Sequence, residues 1–86
     1  MIKHTGISDA DLRKLIRQQA IQVGGNLRLK IYGQLHCASG KRMKRENRVF
    51  FYSANEAIMQ GFRPCGHCMK ADYRKWKIAY ITSINL

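Results

Sequence analysis

Proline is nearly missing from this 86-residue chain, which has only Pro64. Nothing repeats and nothing is low in complexity, so solenoids, collagen-like arrays and Pro-rich linkers are excluded. No apolar run is long enough to span a bilayer. The opening, MIKHTGISDADLRKL, lacks the apolar centre of a signal peptide. Cysteine is sparse and odd in number, three in all, so a secreted disulfide framework would leave one thiol over. The expectation is a protein of the reducing cytoplasm with no membrane association. In that setting cysteines serve metals or catalysis more often than disulfides.

Acids are scarce as well, five against 16 lysines and arginines, for a net charge of +11. Three thiolates on one Zn²⁺ would lower this by a single unit. Such a charge draws polyanions over a Debye length of about 8 Å, and nucleic acid is the commonest polyanion in a cytoplasm. A solvated basic surface gives the same count, so charge alone names no partner.

Hydrophobic residues make up 45% of the chain, too many for a disordered one, and three Phe, four Tyr and one Trp suffice to anchor one small core. A single domain over 1–86 is expected, with its core about 8–77. A chain this short is marginally stable on burial alone, and a bound metal makes up such a shortfall.

Ser8 to Ala20 reads as a helix. Ser8 and Asp11 form a variant capping box, and Leu12, Leu15, Ile16 and Ala20 share a face. Gly24, Gly25 and Asn26 read as a turn. Leu27 to Tyr32 alternates strictly, with Leu27, Leu29 and Ile31 on one side and Arg28, Lys30 and Tyr32 on the other, which predicts a half-buried strand. Gly33 to Asn47 is an irregular basic loop, and Arg48 to Tyr52 a second strand. Ser53 to Gln60 is a short helix with a Ser53/Glu56 capping box and Gly61 just past its end. A last helix is predicted from about Gly66 to Ile78, with Met69, Tyr73 and Trp76 on a core-facing side. The β-rich end, Ile78 to Leu86, reads as an added strand or a mobile tail.

The chemistry concentrates in Cys65-Gly66-His67-Cys68. A Cys-x-x-Cys turn lets two sulfurs converge on one ion at about 2.3 Å, and a helix start favours thiolates. A redox pair is the competing reading, but it needs a preceding strand in a βαβ setting; here the pair follows a short helix. Cys37 is the natural third ligand. A tetrahedral Zn²⁺ wants a fourth, and His36, His4, His67 or water can supply it. The pattern also admits iron.

The stretch RENRVFFYSANEAIMQGFRPCGHC, Arg45 to Cys68, closely resembles the metal-binding domain of the Ada DNA repair family. The resemblance reaches back through LRLKIYG and Cys37 and covers roughly residues 8 to 75. It implies an α+β fold, a small antiparallel or mixed sheet flanked by short helices, with one zinc held by four cysteines. One of those cysteines accepts a methyl group from a DNA phosphotriester, zinc keeping it a nucleophilic thiolate. This chain departs from the pattern. The family has Cys-x-x-x-Cys ahead of Arg-Glu-Asn. Counted back from Asn47, Cys37 matches the second of the pair, and Gly33 stands at the methyl-accepting first. The nucleophile is then absent, and His36, in the same loop, is the nearest replacement donor. A slipped alignment would make Cys37 the acceptor instead.

The expected function is a non-catalytic zinc module binding nucleic acid, DNA in the resembled family, through Lys41, Arg42, Lys44, Arg45 and Arg48. The alternatives are DNA methylphosphotriester repair by irreversible transfer to Cys37, and a protein-interaction or metal-sensing module. Arg63, beside Pro64, is expected to pair with an acid near the site.

Overall fold

The computed structural model describes residues 1–37 and 43–84, the last two without their side chains. Its elements are β1 (Ile2–Lys3), α1 (Asp9–Arg17), β2 (Val23–Asn26), β3 (Ile31–Gln34), β4 (Arg48–Phe51), α2 (Ala54–Met59), β5 (Arg63–Pro64) and α3 (Lys70–Ile84). Short 3-10 turns at His4–Gly6 and Arg45–Asn47 lead into α1 and β4. The strands form one mixed sheet in the order β1-β4-β2-β3-β5. All neighbours are antiparallel except β3 and β5, which run parallel. The α+β class expected from the sequence is the one observed.

The sheet is covered on both faces at β4, where Val49, Phe50 and Phe51 are all buried. Alternation along the strand divides them. Val49 and Phe51 pack with Val23, Tyr32, Phe62 and Ala57 of α2, while Phe50 packs with Leu12 of α1 and with Ile21. Both local caps form. The Ser8 hydroxyl oxygen accepts from the Asp11 N–H at 3.2 Å, and that of Ser53 from the Glu56 N–H at 3.2 Å. Gly61, with φ of +87°, ends α2 in the left-handed conformation that glycine supplies at little strain.

Three local expectations are corrected. Gly24 and Gly25 are not a turn but the middle of β2. A Cβ on Gly25 would stand 3.0 Å from the Phe51 ring and 3.2 Å from Val49, so the strand needs glycine there for its neighbours to pack. Nor is Leu27 to Tyr32 a strand. The Asn26 side-chain oxygen accepts from the N–H groups of Arg28 and Leu29 at 3.0 and 3.1 Å, and the Asn26 carbonyl accepts from Lys30 N–H at 2.8 Å. This Asx turn, closed by Lys30 at φ +58°, makes residues 27–30 a hairpin loop and delays β3 to Ile31. Finally, α3 starts at Lys70 and runs through the predicted terminal strand to Ile84. No glycine or proline interrupts it, and the Thr82 hydroxyl donates to the Ile78 carbonyl one turn back, at 2.8 Å. β-branched residues are only weakly disfavoured in such a helix. Among the described residues, no helix is long and apolar enough to cross a membrane.

His4 gives the fold a pH dependence. Its ring lies edge-on to Phe50 at 5.5 Å, with its side chain 15% exposed, and neither ring nitrogen has a hydrogen-bond partner among the described residues. Burial, and then the Arg45 and Arg48 cations, hold its pKa below the usual value, against the opposing pull of Asp9. A histidine with a lowered folded-state pKa takes up its proton more readily when unfolded. Its contribution is therefore intact above about pH 6.5 and lost as pH falls below it. Urea unfolding between pH 8 and 5 should show stability falling on the acid side, and His4→Phe should make that decline shallower. An identical decline in the variant would assign it elsewhere.

Candidate metal centre

One backbone ladder and two turns bring the cysteines together. β5 pairs beside β3, with Ile31 opposite Arg63 and Tyr32 opposite Pro64. The Arg63 N–H donates to the Lys30 carbonyl at 2.9 Å and the Cys65 N–H to the Tyr32 carbonyl at 2.7 Å. That register sets Cys65 next to Gly33. The chain then turns, and the His67 N–H points at Cys65 Sγ, 3.4 Å away. The Gln34 N–H points at Cys68 Sγ, 3.3 Å away. On the other side the Cys37 N–H donates to the Gln34 carbonyl at 3.1 Å, folding the end of β3 back toward the pair.

The result is that Sγ of Cys37, Cys65 and Cys68 all lie within 4.8 Å of one another, each half-buried. Sulfurs bound to one zinc at about 2.3 Å stand about 3.8 Å apart in a tetrahedron, so this spacing suits one ion. The backbone N–H groups aimed at the sulfurs stabilise thiolates, the form a metal takes. As a free thiol Cys68 is pushed up to about 11 by burial, with hydrogen bonds to Cys37 and Cys65 adding to the rise and the Gln34 N–H opposing it. A cation reverses that preference, because a coordinated thiol gives up its proton.

The remaining expected residues fall in different places. His36 is exposed and is not part of the sulfur group, so the structure does not bring it in as the fourth donor. His67 is exposed too, and only its backbone faces the sulfurs. His4 follows β1, at the opposite edge of the sheet from β5. Gly33 sits within β3, and a Cβ built there would lie 2.7 Å from Cys68 Sγ and 3.1 Å from Cys65 Cβ. Residue 33 thus points into the sulfur group and carries no side chain. Lys41 and Arg42 lie outside the described residues. Lys44 and Arg45 are exposed and Arg48 is half-buried. Arg45 also pairs with Asp9 at 3.3 Å. Arg63 is structural, but through aromatic rings rather than an acid. Its guanidinium lies 5.3 and 5.5 Å from the rings of Tyr73 and Trp76, and it donates to the Pro64 carbonyl at 3.1 Å. Of the predicted core side of the last helix, Met69 does pack against the core, while the half-buried rings of Tyr73 and Trp76 stack on one another along α3.

Sequence reasoning did not find the Gln34 N–H or the Tyr32 carbonyl. Backbone groups leave no trace in residue identity, and only the β3–β5 register reveals them.

Residues 17–70 match the family model described as the metal binding domain of Ada. No curated protein and no solved structure matches the chain. The matched stretch holds β2 through β5, α2 and all three cysteines. It covers more than half of the chain and the whole of the sulfur group, and the chain therefore belongs to the family of Ada metal-binding domains.

Proposed function

We propose that this protein is a zinc-holding module that does no chemistry of its own and binds nucleic acid along its basic segment, in the reducing cytoplasm that its three cysteines suggest. The observation that carries the reading is a cleft in which a cation and two of the sulfurs meet. Arg48 and Met43 line the same cleft as Cys37 and Cys65. Beside it, a second depression is lined by Arg28 and Lys44 together with Asn26 and Asn47. A strand bound here would meet Arg48 in the cleft and Lys44 and Arg28 beside it, and Lys41, Arg42 and Arg45 belong to the same basic segment in sequence. Cations here neutralise phosphates without reading bases, which gives sequence-tolerant binding.

What supports a non-catalytic role is Gly33. With residue 33 at the methyl-accepting position, that position bears no sulfur, and a Cβ there would lie 2.7 Å from Cys68 Sγ. The zinc would clamp the end of β3 to the start of α3, with Cys37, Cys65 and Cys68 as donors.

Gel-shift titrations at rising salt test the reading. With five cations on phosphates, affinity should fall about 10²–10³-fold between 50 and 200 mM salt. Lys44→Ala should reduce the slope of log K against log salt by about 1. No binding at low salt, or a flat response, would remove the nucleic-acid reading. A mass gain on Cys37 after incubation with methylphosphotriester DNA would replace the non-catalytic reading with repair.

A further inference from the structure

Three sulfurs leave one position of a four-coordinate ion to be filled. Every other His, Asp and Glu of the chain lies among the described residues, since 38–42 and 85–86 contain none, and only the three cysteines gather. Residue 33 points into the sulfur group, 2.7 Å from Cys68 Sγ for a Cβ built there, but as glycine it offers no donor.

A cleft adjoins the sulfur group on the face where Gly33 lies. Gly24 and Gly33 face each other across β2 and β3, and Phe50 stands opposite Gly24 on β4. Directly paired residues point to the same face, so Gly24 and Gly33 leave two bare positions on that face beside the Phe50 ring. Over them the cleft, of about 250 Å³, is walled by Ile31, Leu35, Met43 and Phe50, with Arg48 also lining it. Cys37 and Cys65 line it too. The cleft therefore opens on two of the three donors.

We propose that the metal centre keeps its fourth position for an outside ligand, and that this ligand is a small organic thiol bound as its thiolate from the cleft. The inference rests on the metal-holding reading and is independent of nucleic-acid binding. The apolar walls suit the carbon body of the thiol. A soft donor suits an ion already held by thiolates. The surrounding charge of +11 favours an anionic fourth ligand over a neutral one. On binding, the thiol gives its S–H proton to solvent and its sulfur bonds the ion as a solvent molecule leaves, with no change of oxidation state.

Cobalt(II)-loaded protein, prepared and kept under argon without thiol reductant, provides the test. Its sulfur-to-cobalt charge-transfer absorbance should rise by about one third on titration with 2-mercaptoethanol and then saturate, as three sulfur bonds become four. Imidazole or phosphate should not reproduce that rise. Gly33→Cys, if it folds, should show the higher absorbance from the start and no response to thiol. A cobalt-loaded Gly33→Cys that still gains absorbance would overturn the assignment of the position. His36→Ala should titrate as the unaltered protein does. A change in its cobalt spectrum before any thiol is added would show that His36 holds the position, and the proposal would fall. An unaltered protein with strong charge-transfer bands and no response to thiol would sink the proposal while leaving the metal reading intact. Absence of the bands on cobalt addition would remove both.

Discussion

Stripping the metal, or replacing Cys65 by Ser, is expected to unfold the domain at 25 °C. Nine hydrophobic residues form the described buried core, and the last strand, β5, has only two residues. A core of this size supports a marginal domain. Structural zinc is worth about 10–16 kcal/mol in small zinc-binding peptides, comparable to or larger than the whole stability of a small domain. Here the ion would tie the turn after β3, through Cys37, to the corner between β5 and α3, through Cys65 and Cys68. Without it, burial favours the protonated thiol of Cys68, and the β3–β5 edge relies on few backbone bonds. Far-ultraviolet circular dichroism before and after chelation is the measurement. An unchanged spectrum and an unchanged thermal transition would show that the fold stands without a metal.

Phe51→Ala should cost the metal-loaded protein about 3–5 kcal/mol. Phe51 is fully buried in β4, meets Phe62 edge-to-face at 4.9 Å between ring centres, and spreads over the backbone of Gly25. Truncation removes the apolar area, the ring pair and the contact with the bare glycine backbone together. A flat sheet backbone cannot collapse into the space left. With urea slopes of about 1–3 kcal/mol per molar for small proteins, the midpoint should drop by about 2 M. A loss under 1 kcal/mol would mean that the two faces of β4 repack independently of this ring. Because Gly25 is glycine to admit Phe51, Gly25→Ala should destabilise less in the Phe51→Ala background than alone.

Those effects explain what the residues disclosed and what they hid. The caps at Ser8 and Ser53 were legible because a hydroxyl three residues ahead of an N–H is a local arrangement. Val49, Phe50 and Phe51 read as a strand, and two covered faces account for an apolar run with no polar alternation. Gly24 and Gly25 misled, because glycine signals a turn locally and a close neighbour tertiarily, and here Phe51 supplies the neighbour. The alternation over Leu27 to Tyr32 misled because the Asn26 side chain captures two N–H groups that a strand would have given to a ladder. The C-terminal residues read as β, yet nothing in α3 breaks a helix already begun.

The amino-acid order by itself determined the local caps, the three cysteines of the sulfur group and the cationic character, since cap chemistry, the Cys-x-x-Cys turn and net charge depend on composition and short spacing, and the α+β class followed from the resemblance that its motifs carry. Only the folded chain decided that His36 stays outside the sulfur group, that residue 33 points into it, and that a cleft opens on Cys37 and Cys65. Those facts follow from the parallel register of β3 against β5 and from Gly24 lying opposite Gly33. Register is a relation between distant segments, set by which faces can be buried together, and no local pattern encodes it.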